Sequence, residues 1–436
     1  MIICSRDMTP TFFDIIYLGL APVVIPILAW RALRKKKYRE STAGMLGGRL
    51  GQEDPEMWRN GCVWVHSVSV GETMAAKAMM PLLKARFPEL PLLVTTVTET
   101  GQALARSLVP GCADAARYYP ADFSWVVKKF ADTYKPRIFI LMETEIWPNA
   151  LMHLADRGTR IVMMNGRISA KSFKSYNLFK KALRQPLGGV QAFCMQTQAD
   201  ADRMKVLSGR PDRVFTTGNC KFDTPVERLD AGAKDALRMS LGIAKGERVV
   251  VAGSTHPGEE EVVLAAFKEV QHAMPQTKLL LVPRHPERFA KVWSLLEGEG
   301  IAARRLSDGQ ETGTGKAGVV LVDKMGLLVQ LYGIADVALV AGSFVPGIGG
   351  HNVLEAAAHG TPVIYGPHME KQPELARLLN EENGGTISDG EGLGRAILNL
   401  LNDSALAAEK GAQGLAVVQQ NRGSAARNME ILERVL

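Results

Sequence analysis

The sequence predicts an α/β protein built on two Rossmann-like parallel sheets, and three observations carry that prediction. Short, nearly continuous apolar runs alternate with amphipathic segments, the mark of strands buried on both faces by helices. The alternation occurs twice, over 62–218 and again over 248–366, with a polar, helical stretch from about Asp223 to Gly246 between. The 436 residues exceed one comfortable hydrophobic core, so two domains are expected. A composition 46% hydrophobic and 22% charged is that of a folded chain.

The first element is TFFDIIYLGLAPVVIPILAW, residues 11–30, with a single charge at Asp14 and interruptions at Pro22 and Pro26. Roughly 20 apolar residues is the length of a spanning helix. Six cations follow at once: Arg31, Arg34, Lys35, Lys36, Lys37 and Arg39. Charge after the apolar run is the reverse of a signal peptide. It keeps the following domain on the cytoplasmic side and is drawn to anionic headgroups. The segment therefore reads as a membrane anchor, spanning the bilayer or lying in its interface. A buried core helix with a solvated basic end is the alternative.

Strands of the first half are expected at 62–68, 91–97, 137–142, 160–165, 192–197 and 213–218. Those of the second half are expected at 248–254, 278–284, 318–323, 336–342 and 362–366. The spacing of apolar residues predicts a helix over 72–87. Ligands of such sheets bind beyond the carboxyl ends of the strands, and the chemistry-bearing motifs gather there.

HSVSVGET (66–73) puts Glu72 in the first turn of a helix opened by Gly71. Helix dipole and free N–H groups are expected to hold that carboxylate ionised, which suits a general base. A first-turn Glu that merely stabilises its helix is the plain alternative. METEIWPN (142–149) places Glu143 and Glu145 at a strand end, as a charged site or as an ordinary loop ion-pair network. GNCKFD (218–223) presents Lys221 where the first domain hands over to the second, able to neutralise a phosphate or carboxylate. VPRHPER (282–288) presents Arg284, whose fork suits phosphate, beside His285 in a loop stiffened by two prolines.

The stretch GSFVPGIGGHNVLEAAAHGTPVIYGP (342–367) is richest. Gly347, Gly349 and Gly350 let backbone N–H groups approach an anion, and a helix is expected from His351 or Asn352 to Gly360. Glu355, one turn after Asn352, is placed to accept ribose hydroxyls. No GK[ST] Walker sequence and no GxGxxG are present.

Composition narrows the rest. The five cysteines are scattered without a CxxC pair, and the eight histidines form no HExxH, so neither a disulfide scaffold nor a metal site is expected. A net charge of +7 admits nucleic acid, anionic lipid or phosphorylated substrates. No aromatic-rich basic strand and no recognition-helix motif appears, so no nucleic-acid partner is expected. Much of the excess lies at 31–39, which favours a membrane surface. KSFKSYNLFKKALR (171–184), with Lys171, Lys174, Lys180, Lys181 and Arg184 among aromatics, reads as a second lipid-facing patch or as an ordinary amphipathic surface helix.

Together the motifs resemble the 3-deoxy-D-manno-octulosonic acid (Kdo) transferases that glycosylate the lipid A precursor lipid IVA. HSVSVGE, METEIWPN, GNCKFD, STHPGEE (254–260), LVPRHPERF (281–289), DKMG (323–326) and GGHNVLEAAAHG (349–360) occur in the family's order, from the N-terminal apolar segment to about residue 425. The resemblance implies a GT-B glycosyltransferase fold, two Rossmann-like domains facing a cleft. It implies Kdo transfer from CMP-Kdo to lipid IVA in lipopolysaccharide core biosynthesis, with no cofactor and no metal in the transfer step. It places the protein at the bacterial inner membrane, held by its N-terminal segment, with the catalytic domains on the cytoplasmic face.

By the same resemblance Glu72 matches the proton acceptor, and Glu143 and Lys221 match transition-state stabilisers. CMP contacts map to Pro283 and Arg284, to Met325, Gly326 and Leu327, and to Asn352, Val353, Leu354 and Glu355. The sequence departs from the family where Leu327 replaces an acidic residue, leaving only a backbone contact there. Val353 stands for a usual proline, Cys220 for a leucine and Pro257 for a glutamate. The implied domains are 1–37 (anchor and basic flank), 38–224 (acceptor domain), 225–415 (CMP-Kdo domain) and 416–436, a helix crossing back to the first domain. The competing readings are another nucleotide-sugar enzyme of this architecture, such as a 2-epimerase, and a degenerate nucleotide-sugar-binding protein.

Overall fold

The structure, a computed structural model, describes residues 11–19, 21–22, 37–47, 54–226, 228–314 and 316–436. The chain forms two compact units, Met1–Thr224 with Asn421–Leu436, and Pro225–Gln420.

Among its described residues the first unit holds seven strands: β1 (Cys62–His66), β2 (Leu92–Thr96), β3 (Ala115–Tyr118), β4 (Pro136–Met142), β5 (Arg160–Gly166), β6 (Ala192–Met195) and β7 (Val214–Thr216). They lie in the order β3-β2-β1-β4-β5-β6-β7, and every pair is parallel. This is the doubly wound order, with its reversal between β1 and β4. Side chains alternate across the sheet as the pleat requires. Trp64, Phe139 and Leu141 enter the core on one face, and Val63, Val65, Ile138 and Ile140 the core on the other.

The second unit holds β8 (Arg248–Thr255), β9 (Thr277–Pro283), β10 (Ala303–Arg305), β11 (Glu311–Thr312), β12 (Val319–Leu321), β13 (Val337–Val340), β14 (Val363–Tyr365) and β15 (Gly385–Ile387). Their order is β11-β10-β12-β9-β8-β13-β14-β15, parallel except for the β10–β11 pair. The reversal here lies between β8 and β13.

Every strand expected from the sequence is present. β3, β10, β11 and β15 were not foreseen: all are two to four residues long and lie at or next to a sheet edge, so none shows a sustained apolar run. The helix predicted over 72–87 is two helices, Val70–Lys77 and Met80–Arg86. Pro81 lacks an N–H and fits only a first turn, so it starts the second helix rather than continuing the first. The polar stretch after Asp223 contains the helix Ala231–Ser240, which belongs to the second unit; Arg238 on it donates to the carbonyl of Glu247 at 2.5 Å. At the other end, the helix Ser404–Gln420 closes the second unit. The helix Ser424–Val435 packs Met429, Ile431 and Leu432 into the core of the first.

The N-terminal segment differs from a simple anchor. Residues 12–19 are helical, and the one charge in the run is buried. Asp14 accepts hydrogen bonds from the backbone of Ser124 at 2.9 Å and from Asn149 Nδ2 at 2.9 Å. Thr11 Oγ1 donates to Asn149 Oδ1 at 2.5 Å, and Tyr17 to Asp122 at 2.9 Å. Asp14 therefore fastens the start of the segment to the first unit. The helix turns Phe12, Ile15, Ile16 and Leu18 to the outside. No helix among the described residues is long and apolar enough to cross a membrane. The rest of the anchor expected at 11–30, and the side chains of the basic cluster at 31–39, lie outside the described residues.

Candidate functional site

In the first unit, Glu72 and Glu143 flank the point where strand order reverses. Glu72 lies just beyond β1, in the helix Val70–Lys77, and Glu143 just beyond β4. Glu72 is buried and bends back over its own helix start, accepting from Val68 N at 2.6 Å and from Ser69 Oγ at 3.0 Å. Ser69 is the N-cap residue but caps no helix N–H with its side chain; its hydroxyl goes to Glu72, which reaches past it to the N–H of Val68. The sequence expectation that the helix start keeps Glu72 ionised is corrected here. Burial first, then the negative charge of Glu143, push its pKa up to about 8, against the hydrogen bonds that pull it down. Desolvation outweighs the dipole because the carboxyl is withdrawn from water among other acids. Glu145 is likewise raised, to about 7, by burial and then by Glu143.

Glu143 has a φ of +58°. That left-handed conformation is costly for a side chain with a Cβ and is typical of functional strand ends. Its N–H donates to the carbonyl of Met164 on β5 at 2.9 Å, which fixes the turn. Lys221 is half-buried in the short turn Cys220–Asp223, and that turn packs against the helix of Glu72. Three of the residues singled out from the sequence are thus gathered in one region of the first unit.

The same region contains groups that the sequence reading did not single out. His66, the last residue of β1, stacks on Tyr119 with ring centroids 3.8 Å apart, and Tyr119 lies 5.1 Å from Trp147. His66 Nε2, Tyr119 OH and Trp147 Nε1 are buried without a hydrogen-bond partner among the described residues. Asn149, at the end of METEIWPN, is structural: it binds Asp14 and the carbonyl of Asp122.

The second unit gathers the opposite charge. Pro283 ends β9, and the N–H of Arg284 donates to Thr255 at 3.0 Å, so Arg284 stands next to the end of β8. STHPGEE supplies mainly structure. Buried Glu259 accepts from Gly342 N at 2.7 Å and Phe344 N at 2.9 Å, holding the start of the glycine-rich loop. Buried Glu260 pairs with Arg288 at 2.8 Å. In the loop itself, Gly347, Gly349 and Gly350 have φ of +94°, +94° and +84°, a region closed to most other residues.

Two histidines 95 positions apart meet there. His256 Nε2 lies 2.8 Å from His351 Nε2, and the rings stack with an interplanar angle of 12°. Gly342 makes room: a Cβ there would come within 2.6 Å of His351. Burial first, then neighbouring imidazoles and cationic side chains, push His256 down to about 4 and His351 to about 3. His285 and Arg284 act on both, as does Lys371, whose N–H donates to Gly349 at 2.8 Å. Burial is the main cause; the smaller push from Arg284 and Lys371 marks a local positive field that a phosphate or carboxylate would relieve.

The helix expected from His351 or Asn352 begins later, at Leu354, and spans only Leu354–Ala357. Asn352 stands before it, accepting from Leu354 N at 3.2 Å. Asn352 still meets Glu355, at 3.4 Å, so the pair expected from the sequence exists through side chains rather than one helical face. Four residues sum to little dipole, so the positive field comes from Arg284, Lys371 and their neighbours. Burial raises the pKa of Glu355, with Asn352 and Arg284 opposing. Val353 and Leu354 are buried, so among that stretch they can offer a ligand only backbone. Met325 is 56% exposed, and Gly326, at φ +89°, turns the chain into the helix Leu328–Tyr332, which packs against the helix of Glu355. Asp323 of DKMG is fixed by Arg305 at 2.7 Å.

A family model described as 3-Deoxy-D-manno-octulosonic-acid transferase (kdotransferase) matches residues 44–224. The chain is 32% identical to the 3-deoxy-D-manno-octulosonic acid transferase of Haemophilus influenzae over 98% of its own length and 98% of that protein. The chain belongs to the Kdo transferase family. It is accordingly a glycosyltransferase for which Kdo is the sugar moved. The Bordetella pertussis Kdo transferase is 34% identical, with 82% of this chain and 83% of that protein covered. Two solved structures share the fold. A glycosyltransferase from Rickettsia africae is 14% identical, with TM-score 0.58 over 86% of this chain and 99% of that one. The UDP-GlcNAc 2-epimerase from Neisseria meningitidis is also 14% identical, with TM-score 0.58 over 85% and 99%. Likeness at that identity is of fold alone.

Proposed function

We propose that this Kdo transferase takes CMP-Kdo as donor and lipid IVA as acceptor, with Glu72 as general base. The observation that carries the base assignment is the buried Glu72 carboxyl, its pKa lifted to about 8 beside Glu143. A base of that strength is matched to a hydroxyl proton near physiological pH. In a single displacement, the acceptor oxygen attacks the anomeric carbon while its proton passes to the Glu72 carboxylate. The bond from that carbon to the CMP phosphate breaks, and CMP leaves with the electron pair. Glu143 would favour positive charge developing on the sugar, and Lys221 would offset negative charge as the bond breaks.

The donor is assigned to the second unit. Arg284 would meet the phosphate, supported by the positive field around the His256–His351 pair. Pro283, the backbone of Met325, Gly326 and Leu327, and the segment Asn352–Val353–Leu354–Glu355 would hold the nucleoside. Glu355 would accept from the ribose hydroxyls.

The lipid acceptor and membrane attachment are supported by outward apolar side chains. Phe12, Ile15, Ile16 and Leu18 on the N-terminal helix, Leu178 at the end of the helix Ala170–Leu178, and Phe179 between it and the helix Lys180–Gly188, are exposed. Phe173, Tyr176 and Leu183 of that second patch turn inward instead. A groove of about 580 Å³ is lined by Thr11, Phe12, Phe13 and Lys181 among others, so the N-terminal helix and the lysine-bearing helix adjoin. Apolar tips beside lysines fit an anionic bilayer surface. The protein is thus assigned to the inner membrane, with its catalytic units on the cytoplasmic face. Incubation of the purified protein with CMP-Kdo and lipid IVA should yield an acceptor heavier by whole Kdo units, read by mass spectrometry. Unmodified lipid IVA alongside intact turnover of another acceptor would overturn the acceptor assignment.

A further inference from the structure

Lys221 has a long, flexible side chain, so its reach is set by the backbone that carries it. That backbone is held by a network that starts from one buried amide. Asn165, in β5, is fully buried, with a φ of +56°. Its Oδ1 accepts the N–H of Cys220, the residue before Lys221, at 2.9 Å. A second chain of bonds runs from the same residue. The carbonyl of Asn165 accepts from Gln196 Nε2 at 2.9 Å, and Gln196 Oε1 accepts from Asn219 Nδ2 at 3.1 Å. Asn219 Oδ1 then accepts the N–H of Lys221 itself at 3.0 Å. From the other side, Asp223 closes the turn by accepting from Gly423 N and Ala425 N, both at 2.6 Å. The neighbour of Asn165, Met164, holds the N–H of Glu143.

Glycine would adopt φ +56° without strain. A side chain kept there at a cost implies a task for its polar group. The bond to Cys220 is that task. Without it a buried N–H loses its partner, and the turn is free to relax.

We propose that Asn165 is a positioning residue: it fixes the Cys220–Asp223 turn so that Lys221 meets the reacting sugar phosphate. The inference rests on the role proposed above for Lys221. A displacement of about 1 Å at a reacting group costs on the order of 100-fold in rate. Asn165→Gly keeps the backbone conformation and removes only the side chain. It should lower kcat by about 10–100-fold while KM for CMP-Kdo stays within about threefold.

The deciding measurement is a double-mutant cycle on the full chain with CMP-Kdo and lipid IVA. If Asn165 acts through Lys221, then Asn165→Gly added to Lys221→Ala slows the enzyme no further. Fold-losses that multiply, or a wild-type kcat in Asn165→Gly, would overturn the proposal. Wild-type turnover in Lys221→Ala alone would remove the role of Lys221, and the inference with it, whatever Asn165→Gly does. Should Asn165→Gly unfold in a thermal melt, Asn165→Asp, which keeps an Oδ1 acceptor for the Cys220 N–H, should hold kcat within about threefold of wild type, and a 10–100-fold loss in that folded variant would overturn the proposal.

Discussion

The two units place their polar groups at the same point of the same scaffold and give them opposite charge. In the first, Glu72 and Glu143 follow the two strands that flank the reversal of strand order. In the second, His256 and the glycine-rich loop follow the two strands that flank the corresponding reversal. Burial acts in both. It combines with like negative charge in the first unit to lift carboxyls toward neutrality, and with like positive charge in the second to strip protons from imidazoles. The fold fixes where chemistry happens, and the side chains fix its sign. On the proposed reading one unit takes a proton and the other holds an anion.

That division is broken most directly at Glu72. Glu72→Ala should cut Kdo transfer by about 10²–10⁴-fold, the usual worth of a positioned base, while CMP still protects the protein against heat as in the wild type. Near-normal turnover would remove the base; lost CMP protection would show that the first unit also shapes the donor site.

Arg284 tests the other half with a smaller effect. Arg284→Ala should weaken CMP binding by about 10–100-fold, the worth of a charge-assisted bond of 1.5–3 kcal/mol. Arg284→Lys should restore only part, because a point charge lacks the fork. Calorimetric titration with CMP checks both, and an unchanged affinity in Arg284→Ala would sink the phosphate assignment.

How far the sequence foretold this follows the range of the interaction. The buried central strands were legible because a run such as Arg248–Thr255 is apolar nearly throughout. The residues at their ends were legible because a motif is local: Glu72, Glu143, Lys221 and Arg284 each follow an apolar run by a few positions. What local pattern omits is approach in space. Nothing in the spacing of His256 and His351 announces that they touch, and nothing around Glu72 announces that Glu143 will raise its pKa. The same holds for Asp14, a lone charge in an apolar run, whose partners Ser124 and Asn149 lie more than a hundred positions away. The helix before Gly360 is shorter than its sequence suggests because the alanine-rich stretch has high helix propensity, while the glycine loop delays its start.

The finest test of the comparison is titration. In the unfolded chain Glu72 ionises near 4.5, and in the folded chain near 8. Between those values the native state holds a proton that the unfolded state has lost. The stability due to the neutral carboxyl is therefore complete below 4.5 and drains away as pH rises through 8. Glu72→Gln keeps the neutral shape at every pH. It should match the wild type in urea unfolding at pH 4.5 and exceed it by about 1–3 kcal/mol at pH 9, less than the full shift implies because the site relaxes. An equal difference at both values would mean the carboxyl is not desolvated. The rate should follow the same group: transfer rises with pH through about 8 as Glu72 ionises. Glu143 is the second cause of that high value, after burial. Glu143→Gln should therefore move the acid limb downward, by about one unit on the scale of a nearby like charge, whatever it does to the maximum. A limb that stays in place would mean burial alone sets the base, and the acids of the first unit would then be neighbours rather than a coupled group.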